Sequence, residues 1–307
     1  MKERVLVTGG SGFIGRRLVK SLASEGVSVS APGSDVLDVA AGKFSGLAAD
    51  RVVHLAARTY VPDAWTDPAE FYRVNTQGTI NVLDCCRRTE AHLIFVSGYC
   101  YGIPESLPLS EQAPLRPNNP YAFSKFAAEE ACRFFRDYFQ THVTILRPFN
   151  IYGGGQSSHF LIPRIVEQAT DPTVSEIVVE DDKPRRDYVH ADDVVGAIRA
   201  LLKNPRPGAT FNIGAGESHS VADLAKMICA AANVEKPVVS RGRERANEIP
   251  DVVADISAIR DAIGWSPSIG LQDGLREVVA YTRGRSSASV VEAAAGFDVP
   301  EAGNDKR

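Results

Sequence analysis

The sequence predicts a doubly wound α/β fold, a parallel sheet with helices on both faces, joined to a smaller mixed α/β lobe. Short runs of apolar and β-branched residues alternate with longer amphipathic stretches through the first half of the chain, as in strands joined by crossover helices. Several runs are apolar on both faces, which is expected for strands that helices cover from both sides. A chain of 307 residues is long enough to bury such a core.

The larger predicted domain covers residues 1–150. Its strands are predicted over residues 4–7, 27–31, 51–55, 93–97 and 143–147. Its helices are predicted over residues 13–24, 69–88 and 121–140. This regular alternation of strand and helix is typical of a parallel sheet.

The smaller predicted lobe covers residues 151–285. After Asn150 the pattern loosens, a loop opens at Gly153-Gly154-Gly155, and short strands mix with helices predicted over residues 163–170, 191–203 and 221–232. Some of these elements can return to the main sheet. Residues 286–307 are rich in small and charged residues with little pattern, and they are predicted to form a mobile tail.

Composition narrows the class of protein. The formal net charge is −4, which argues against a general nucleic-acid binder. No apolar run approaches the length that spans a bilayer, and the opening segment MKERVLVTGG does not resemble a signal peptide. The five cysteines lack metal-ligand spacing and suit a reducing compartment. We therefore expect a cytoplasmic protein without a metal, a membrane contact or a nucleic-acid partner.

The first predicted strand runs into a glycine-rich turn, TGGSGFIG at residues 8–15. Gly9, Gly12 and Gly15 permit a tight turn, a close backbone approach to a pyrophosphate and close packing of helix on strand. The helix that begins near Phe13 and Ile14 offers free N–H groups and its positive dipole end to phosphates. A turn of this kind between a strand and a helix indicates a Rossmann domain that binds a dinucleotide.

The group that holds the adenosine ribose is less well defined. An acidic residue is expected at the end of the second strand, but Gly33 stands there. Asp35 is a candidate for the ribose and Asp38 for the adenine, although either can also be a solvated loop charge. No arginine or lysine stands beside them to receive a 2′-phosphate, so NAD is predicted in preference to NADP.

Tyr121 and Lys125 lie four residues apart on a predicted helix, so both side chains project from one face. A free tyrosine has a pKa near ~10 and is a poor base at neutral pH. A nearby ammonium group and an oxidised nicotinamide ring both favour the phenolate and lower that pKa. The phenolate can take a proton from a substrate hydroxyl while hydride leaves for the cofactor. Ser97, at the carboxyl edge of the sheet, can hydrogen-bond the same hydroxyl.

With these motifs the chain resembles the extended short-chain dehydrogenase/reductase family, in particular its nucleotide-sugar epimerases and dehydratases. The resemblance extends to about residue 283. Its motifs are TGGSGFIG at 8–15, HLAA at 54–57, VNTQGT at 74–79, Ser97 before Tyr101-Gly102, YAFSK at 121–125, RPFNIYG at 147–153, RRDYVH at 185–190 and ADIS…GW at 254–265. The resemblance implies an enzyme that binds NAD through the glycine turn, Tyr121, Lys125 and the segment Leu55, Ala56 and Ala57.

The resemblance also implies a substrate and an assembly. Arg186 and Arg245 fall where relatives clamp a nucleotide diphosphate, and Asn150 falls where the same group is often contacted. Arginine suits this role because its planar fork donates two hydrogen bonds to phosphate oxygens. The implied substrate is a sugar carried on a nucleotide diphosphate, with UDP expected. The helices predicted over 69–88 and 121–140 are the pair that relatives use for a four-helix dimer interface, which implies a homodimer.

The residues after Ser97 bear on the reaction. Relatives commonly begin by oxidising carbon 4 of the sugar, and those that eliminate water across carbons 5 and 6 carry an Asp-Glu pair here, where this chain has Gly98-Tyr99-Cys100. In one interpretation Tyr99 and Cys100 act as proton carriers, water leaves a UDP-hexosamine-like sugar across carbons 5 and 6, and the hydride returns to carbon 4. In the other, both residues line the pocket of a 4-epimerase.

Two further classes remain open. A 4-ketoreductase would consume reduced cofactor, and a non-catalytic dinucleotide sensor of the same fold is also conceivable, because a fold does not determine a function. Such sensors typically lose the tyrosine or the lysine, whereas this chain keeps Ser97, Tyr121 and Lys125 together. The sequence therefore favours an NAD-dependent nucleotide-sugar dehydratase, with a 4-epimerase as the main alternative.

Overall fold

The computed structural model describes residues 3–33, 37–42, 44, 49–243 and 247–295. The strands of these residues are β1 (Arg4–Thr8), β2 (Ser28–Ser30), β3 (Arg51–His54), β4 (His92–Val96), β5 (Val143–Pro148), β6 (Asn150–Tyr152), β7 (Ile177–Val179), β8 (Arg185–Arg186), β9 (Tyr188–His190), β10 (Thr210–Ile213), β11 (His219–Ser220) and β12 (Val238–Ser240). The α-helices are α1 (Phe13–Ser24), α2 (Val61–Thr66), α3 (Pro68–Phe71), α4 (Gly78–Thr89), α5 (Pro120–Phe139), α6 (Leu161–Thr170), α7 (Ala191–Lys203), α8 (Val221–Ala232), α9 (Ser257–Ile263) and α10 (Leu271–Ala295).

A six-stranded sheet in the order β10-β5-β4-β3-β1-β2 forms the centre of the molecule. Every pair of neighbouring strands in it runs parallel. Because β2 and β3 lie on opposite sides of β1, the strand order reverses there and opens a crevice at the carboxyl ends of the strands. The predicted doubly wound sheet is confirmed, and each predicted strand overlaps an observed one.

Strand β1 illustrates how the sheet buries both of its faces. Val5 and Val7 pack into one core with Leu18 of α1 and Ile198 of α7. Leu6 points to the opposite core, where α4 and α5 pack against the sheet. Alternate residues of a strand face opposite sides, so an apolar strand needs a helix layer on each side of the sheet.

The second lobe has its own core, and part of the chain beyond residue 150 returns to the main sheet. Helices α6, α8 and α10 meet around the buried side chains of Ile165, Ile228 and Leu275. In contrast, α7 packs into the core of the first domain, and β10 extends the main sheet beside β5. The expectation that elements of the second half return to the main sheet is confirmed.

The region predicted as one helix over residues 69–88 is interrupted. A π-helical segment, Tyr72–Gln77, separates α3 from α4. Within it the buried Asn75 donates hydrogen bonds to the Arg58 carbonyl at 3.0 Å and to the Ser124 hydroxyl at 2.9 Å. Wide turns of this kind often occur at functional sites. Hydrophobic periodicity does not reveal such a turn, because it depends on partners distant in sequence.

The C-terminal helix α10 continues through residues 286–295 of the predicted tail. Residues 296–307 lie outside the described part of the chain. Among the described residues, no helix combines the length and apolar character that a membrane span requires.

Candidate active site

The glycine turn has the geometry of a phosphate cradle. Gly9 has a φ of +70°, and a Cβ placed on it would lie 2.6 Å from the Ala56 nitrogen. A Cβ on Gly15 would overlap the Gly9 carbonyl oxygen, so α1 can approach the turn only because residue 15 is glycine. Helix α1 begins at Phe13 with no side-chain cap and no acidic residue in its first turn. Its first N–H groups, those of Phe13 and Ile14 included, therefore fit a pyrophosphate.

The segment after β3 lies directly beside this turn. The Leu55 nitrogen donates to the Thr8 carbonyl at 3.2 Å, and the Ala56 nitrogen donates to the Thr8 hydroxyl at 3.3 Å. Leu55, Ala56 and Ala57 are half-buried at the carboxyl edge of the sheet. The structure thus brings this predicted segment together with the glycine turn.

Of Asp35 and Asp38, the two candidates for binding the adenosine end of the cofactor, the structure describes only Asp38. Asp35 lies outside the described residues. Asp38 is exposed, and its carboxylate caps a 3₁₀ helix, Val39–Ala41, by accepting the Ala40 N–H at 2.9 Å. The same carboxylate lies 3.7 Å from a guanidinium nitrogen of Arg73. This arginine is 35 positions after Asp38 in the sequence, so the residues that flank Asp38 in the chain give no sign of the contact.

Helix α5 sets the positions of the Tyr121 and Lys125 side chains. Its N-cap, Asn119, accepts the Ala122 N–H at 2.8 Å, and Pro120 occupies the first helical position. This fixes Tyr121 in the first turn and Lys125 one turn later.

Both side chains meet the end of β4. A Cβ placed on Gly98 would lie 2.8 Å from the hydroxyl oxygen of Tyr121. The Lys125 ammonium donates to the Val96 carbonyl at 2.7 Å. Ser97, between these two points, is buried at the start of the same loop. The structure therefore brings together the predicted Ser97, Tyr121 and Lys125.

The electrostatics at this site differ from the expectation. Burial lowers the pKa of Lys125 to about 8. Burial raises the pKa of Tyr121, so the protein's own groups favour the neutral phenol. The expected lowering by Lys125 is not seen: desolvation is the main cause of the raised pKa of Tyr121, and the neighbouring Cys100 raises it further. A bound oxidised nicotinamide would add positive charge that favours the phenolate.

Tyr99 and Cys100 have partners of their own. The Tyr99 hydroxyl donates to the Gly102 carbonyl at 2.7 Å, and burial raises its pKa. The Cys100 thiol is fully buried against α5, 3.4 Å from the Ala122 carbonyl, and burial raises its pKa to about 12. Both groups are thus held in their neutral forms, which does not favour the proton-carrier role considered for them.

A buried network behind this loop was not anticipated from the sequence. Arg147 forms an ion pair with Glu129 of α5 at 2.7 Å and donates to the Tyr101 hydroxyl at 2.8 Å. Tyr101 in turn donates to the Asn212 side chain at 2.6 Å. These bonds tie the loop after Ser97 to α5 and to β10. The only sequence signal was the presence of Arg147 and Tyr101 within recognised motifs.

Two of the three predicted substrate-binding residues lie within the described part of the chain, Asn150 on β6 and Arg186 on β8. The Asn150 amide donates to the Asp187 carbonyl at 3.2 Å. Arg186 donates to the Ile249 carbonyl at 2.6 Å and forms an ion pair with Glu248, a residue that the sequence analysis did not single out. Arg186 is close enough to Tyr99 for its positive charge to oppose the burial that raises the pKa of this phenol. Arg245 lies outside the described residues.

No cluster of three or more potential metal ligands occurs in the part of the chain that the structure describes. All five cysteines lie in that part, and each is free and buried.

Comparison with known proteins identifies the family. A model described as the NAD dependent epimerase/dehydratase family matches residues 5–214, which include the glycine turn and the three central side chains. The chain belongs to this family. As a member of the epimerase/dehydratase family it is an enzyme, because its curated relatives are named epimerases, dehydratases and reductases of nucleotide sugars.

Three curated relatives of this chain are named for different reactions. A GDP-6-deoxy-D-mannose reductase of Pseudomonas aeruginosa is 32% identical over 295 residues, covering 91% of this chain and 97% of the reductase. A dTDP-glucose 4,6-dehydratase of Streptomyces griseus is 30% identical over 311 residues, covering 92% and 94%. A UDP-glucose 4-epimerase of Azospirillum brasilense is 28% identical over 326 residues, covering 91% and 92%.

Solved structures agree with this family. The structure of RMD from Pseudomonas aeruginosa complexed with NADPH has a TM-score of 0.85 and 30% identity, covering 92% of this chain and 100% of that one. A UDP-glucose 4-epimerase of Thermus thermophilus in complex with NAD has a TM-score of 0.83 and 28% identity, covering 92% and 99%. The fold and the cofactor class of this epimerase/dehydratase family member are thus those of dinucleotide-dependent enzymes.

Proposed function

We propose that the enzyme transfers hydride between NAD and carbon 4 of a sugar carried on a nucleoside diphosphate, without eliminating water. The observation that carries the proposal is the placement of the Tyr121 hydroxyl against the loop that begins at Ser97, with Lys125 one turn below it. NAD, when bound, supplies the hydride acceptor and a positive ring. Relatives that act on UDP-, GDP- and dTDP-linked sugars support the substrate class.

Each central residue has a defined task in this proposal. Tyr121 accepts the proton of the carbon-4 hydroxyl at its Oη, and Ser97 donates a hydrogen bond to the same oxygen. Lys125, held by the Val96 carbonyl, keeps a positive charge behind the phenol. The turn containing Gly9 and Gly15 holds the pyrophosphate of the dinucleotide.

The side chains of Arg186 and Asn150 support a nucleoside diphosphate as the carrier of the sugar. Arg186 carries the guanidinium fork that matches phosphate oxygens. In the protein Arg186 is bonded to the Glu248 carboxylate and the Ile249 carbonyl. A bound diphosphate would replace these acceptors with its own phosphate oxygens. Asn150, at the start of β6, would contact the same group.

Elimination across carbons 5 and 6 is the second candidate, but the two proton carriers considered for it, Tyr99 and Cys100, are held in their neutral forms. Tyr99 donates its proton to the Gly102 carbonyl, and the Cys100 thiol is buried under α5 with a raised pKa. A 4-keto sugar bound at Tyr121 would then accept a hydride at carbon 4 from reduced cofactor: the hydride taken earlier from the same sugar in an epimerase, or one from added reduced cofactor in a reductase. The identity to a reductase, 32%, supports this outcome.

The test is incubation with UDP-, GDP- and dTDP-hexoses, and with their 4-keto forms, in heavy water with oxidised or reduced NAD. We expect a change at carbon 4 only, read by NMR and mass spectrometry. Net consumption of reduced cofactor would define a reductase, and an inverted carbon 4 without consumption would define an epimerase. Loss of water with an exocyclic alkene would overturn the proposal in favour of a UDP-N-acetylglucosamine 5,6-dehydratase-like reaction. Absence of any reaction would overturn the proposed chemistry.

We further propose a homodimer formed through the outer face of α5. Phe123, Phe134 and Tyr138 are exposed along this helix, with Tyr138 at 73%. Phe134 and Tyr138 stack on each other, with ring centroids 4.7 Å apart. A row of exposed aromatic side chains on one helix is typical of a protein–protein interface.

A further inference from the structure

Arg17 connects the dinucleotide turn to the second lobe. It lies on α1 one turn after Phe13, and its guanidinium carbon lies 5.4 Å from the centroid of the Phe13 ring. The same guanidinium donates to the Gly154 carbonyl at 2.5 Å and pairs with Asp192 of α7 at 2.8 Å. Its distance to the Glu277 carboxylate of α10 is 3.5 Å. Four segments of the chain therefore meet at one side chain.

The contacts of Arg17 lie at one end of a two-stranded ribbon whose other end carries Asn150, one of the proposed substrate-binding residues. Strands β6 and β9 run parallel, with Asn150 opposite Tyr188 and Tyr152 opposite His190. His190 lies 2.6 Å from Glu277, and Gly154 follows β6. A strand advances about 3.3 Å per residue, so Asn150 lies only about 7 Å along β6 from the end that Arg17 holds.

The loop after β6 fits tightly against these partners. Gly153 and Gly155 have φ values of +152° and +83°, which residues with side chains rarely adopt. A Cβ on Gly154 would lie 2.7 Å from a Glu277 carboxylate oxygen and 3.0 Å from the ring of Tyr281. Because the loop packs closely against these partners and Arg17 is bonded to it, we expect a displacement of α1 to be transmitted to β6.

We propose that Arg17 is a positioning residue that couples cofactor binding to nucleoside-diphosphate binding. A dinucleotide at the N-terminus of α1 fixes this helix, and Arg17 then fixes the end of the ribbon that carries Asn150. Guanidinium geometry is needed, because one planar group has to reach both the Asp192 carboxylate and the Gly154 carbonyl. This inference rests on the proposed function in taking NAD and a nucleoside diphosphate as the two ligands.

The test measures the affinity of the whole protein for UDP, GDP and dTDP by calorimetry, with and without saturating NAD. In the wild type we expect NAD to increase the affinity for the diphosphate that binds most tightly by about 5-fold or more. In Arg17→Gln this factor should approach 1, while the affinity for NAD alone changes little. Thermal unfolding of each variant reports whether it is folded.

Two variants sharpen the test. Arg199→Gln is the matched control, because Arg199 on α7 forms an ion pair with Glu25 at the C-terminal end of α1, opposite the end that begins at Phe13. In Arg199→Gln, NAD should increase the affinity for the diphosphate as much as it does in the wild type. Arg17→Lys keeps the charge without the fork, and it should show a reduced factor even if Arg17→Gln fails to fold.

Three results would contradict the proposal. These are a wild-type factor near 1, an unchanged factor in the folded Arg17 variants, or an equal loss in Arg199→Gln. Failure of the wild type to bind NAD or any of the diphosphates would instead overturn the proposed function, and this inference with it. Normal binding of both ligands without an effect of Arg17 would overturn this inference alone.

Discussion

At Tyr121, burial and charge act in opposite directions. Removal from water disfavours the phenolate and raises the pKa of the hydroxyl, whereas positive charge nearby favours it. The same removal from water lowers the pKa of Lys125 to about 8, so that the ammonium group is itself easily lost. A phenol in this setting becomes a useful base only when a bound cofactor adds charge. We therefore expect the proposed base to act only after the dinucleotide has bound.

Replacing Tyr121 by phenylalanine should abolish turnover while leaving the dinucleotide bound. Loss of a general base typically lowers a rate by about 10²- to 10⁴-fold. The expected decrease in kcat is of this size, with an unchanged Kd for NAD, measured by steady-state kinetics and calorimetry. Tyr138→Phe is the control, since Tyr138 is 73% exposed and far along α5. A Tyr121→Phe variant with near-normal turnover would exclude this residue as the base.

Replacing Lys125 by methionine should change how stability depends on pH. The pKa of Lys125 is about 8 in the folded protein, below its ordinary value of 10.5. Between these values the unfolded chain binds a proton that the folded protein lacks, so the free energy of unfolding rises with pH. Urea denaturation should show this rise in the wild type, relative to Lys125→Met. Parallel pH curves for the two proteins would contradict the lowered pKa.

At the scale of elements, the glycine turn and the N-terminus of α1 act as one unit. The turn forms a phosphate cradle only because three positions lack a Cβ, and α1 begins without a side-chain cap that would compete for its N–H groups. The sequence pattern is sufficient to predict this unit, since every contact within it is local. The contact with Ala56, by contrast, comes from pairing β1 with β3.

Gly15→Ala should weaken dinucleotide binding. The new methyl group would overlap the Gly9 carbonyl oxygen, so the turn and α1 have to separate. Overpacking typically costs about 1–3 kcal/mol, which corresponds to roughly a 5- to 150-fold rise in the Kd for NAD if the bound geometry bears the cost. Gly284→Ala on α10 is the matched control, because its Cβ would meet nothing within 4 Å. An unchanged Kd in Gly15→Ala would show that the turn tolerates a side chain.

At the scale of the whole molecule, helix α5 has a buried inner face and an exposed outer face. Its inner face carries Lys125 and Glu129 into the core, while Phe134 and Tyr138 remain exposed on its outer face. A second copy of the chain would cover these aromatic side chains and would fix α5 from outside. The proposed dimer would thus support the helix that carries the base.

Phe134→Glu should dissociate the proposed dimer. Phe134 is 51% exposed, and a carboxylate at its position would be buried without a partner in a dimer interface. Sedimentation velocity should show a dimer for the wild type and a monomer for the variant at micromolar concentration. Ile103→Glu, at a 54% exposed site away from α5 in sequence, should remain dimeric. A monomeric wild type would refute the dimer.

The sequence by itself determined the features that depend on local order. The strand–helix alternation, the glycine turn and the i, i+4 spacing of Tyr121 and Lys125 were all predictable, because neighbours in the chain define them. The structure confirmed the sheet, and α1, α7 and α8 have the predicted bounds.

Tertiary structure alone decided the features that depend on distant partners. It buried Cys100 under α5, raised the pKa of Tyr121, inserted the wide turn at Asn75 and brought Arg17 to Gly154. Desolvation and long-range hydrogen bonds are set by which segments fold against each other. A linear pattern reports the chemistry that a residue can perform, and packing determines whether water, charge and neighbours allow it.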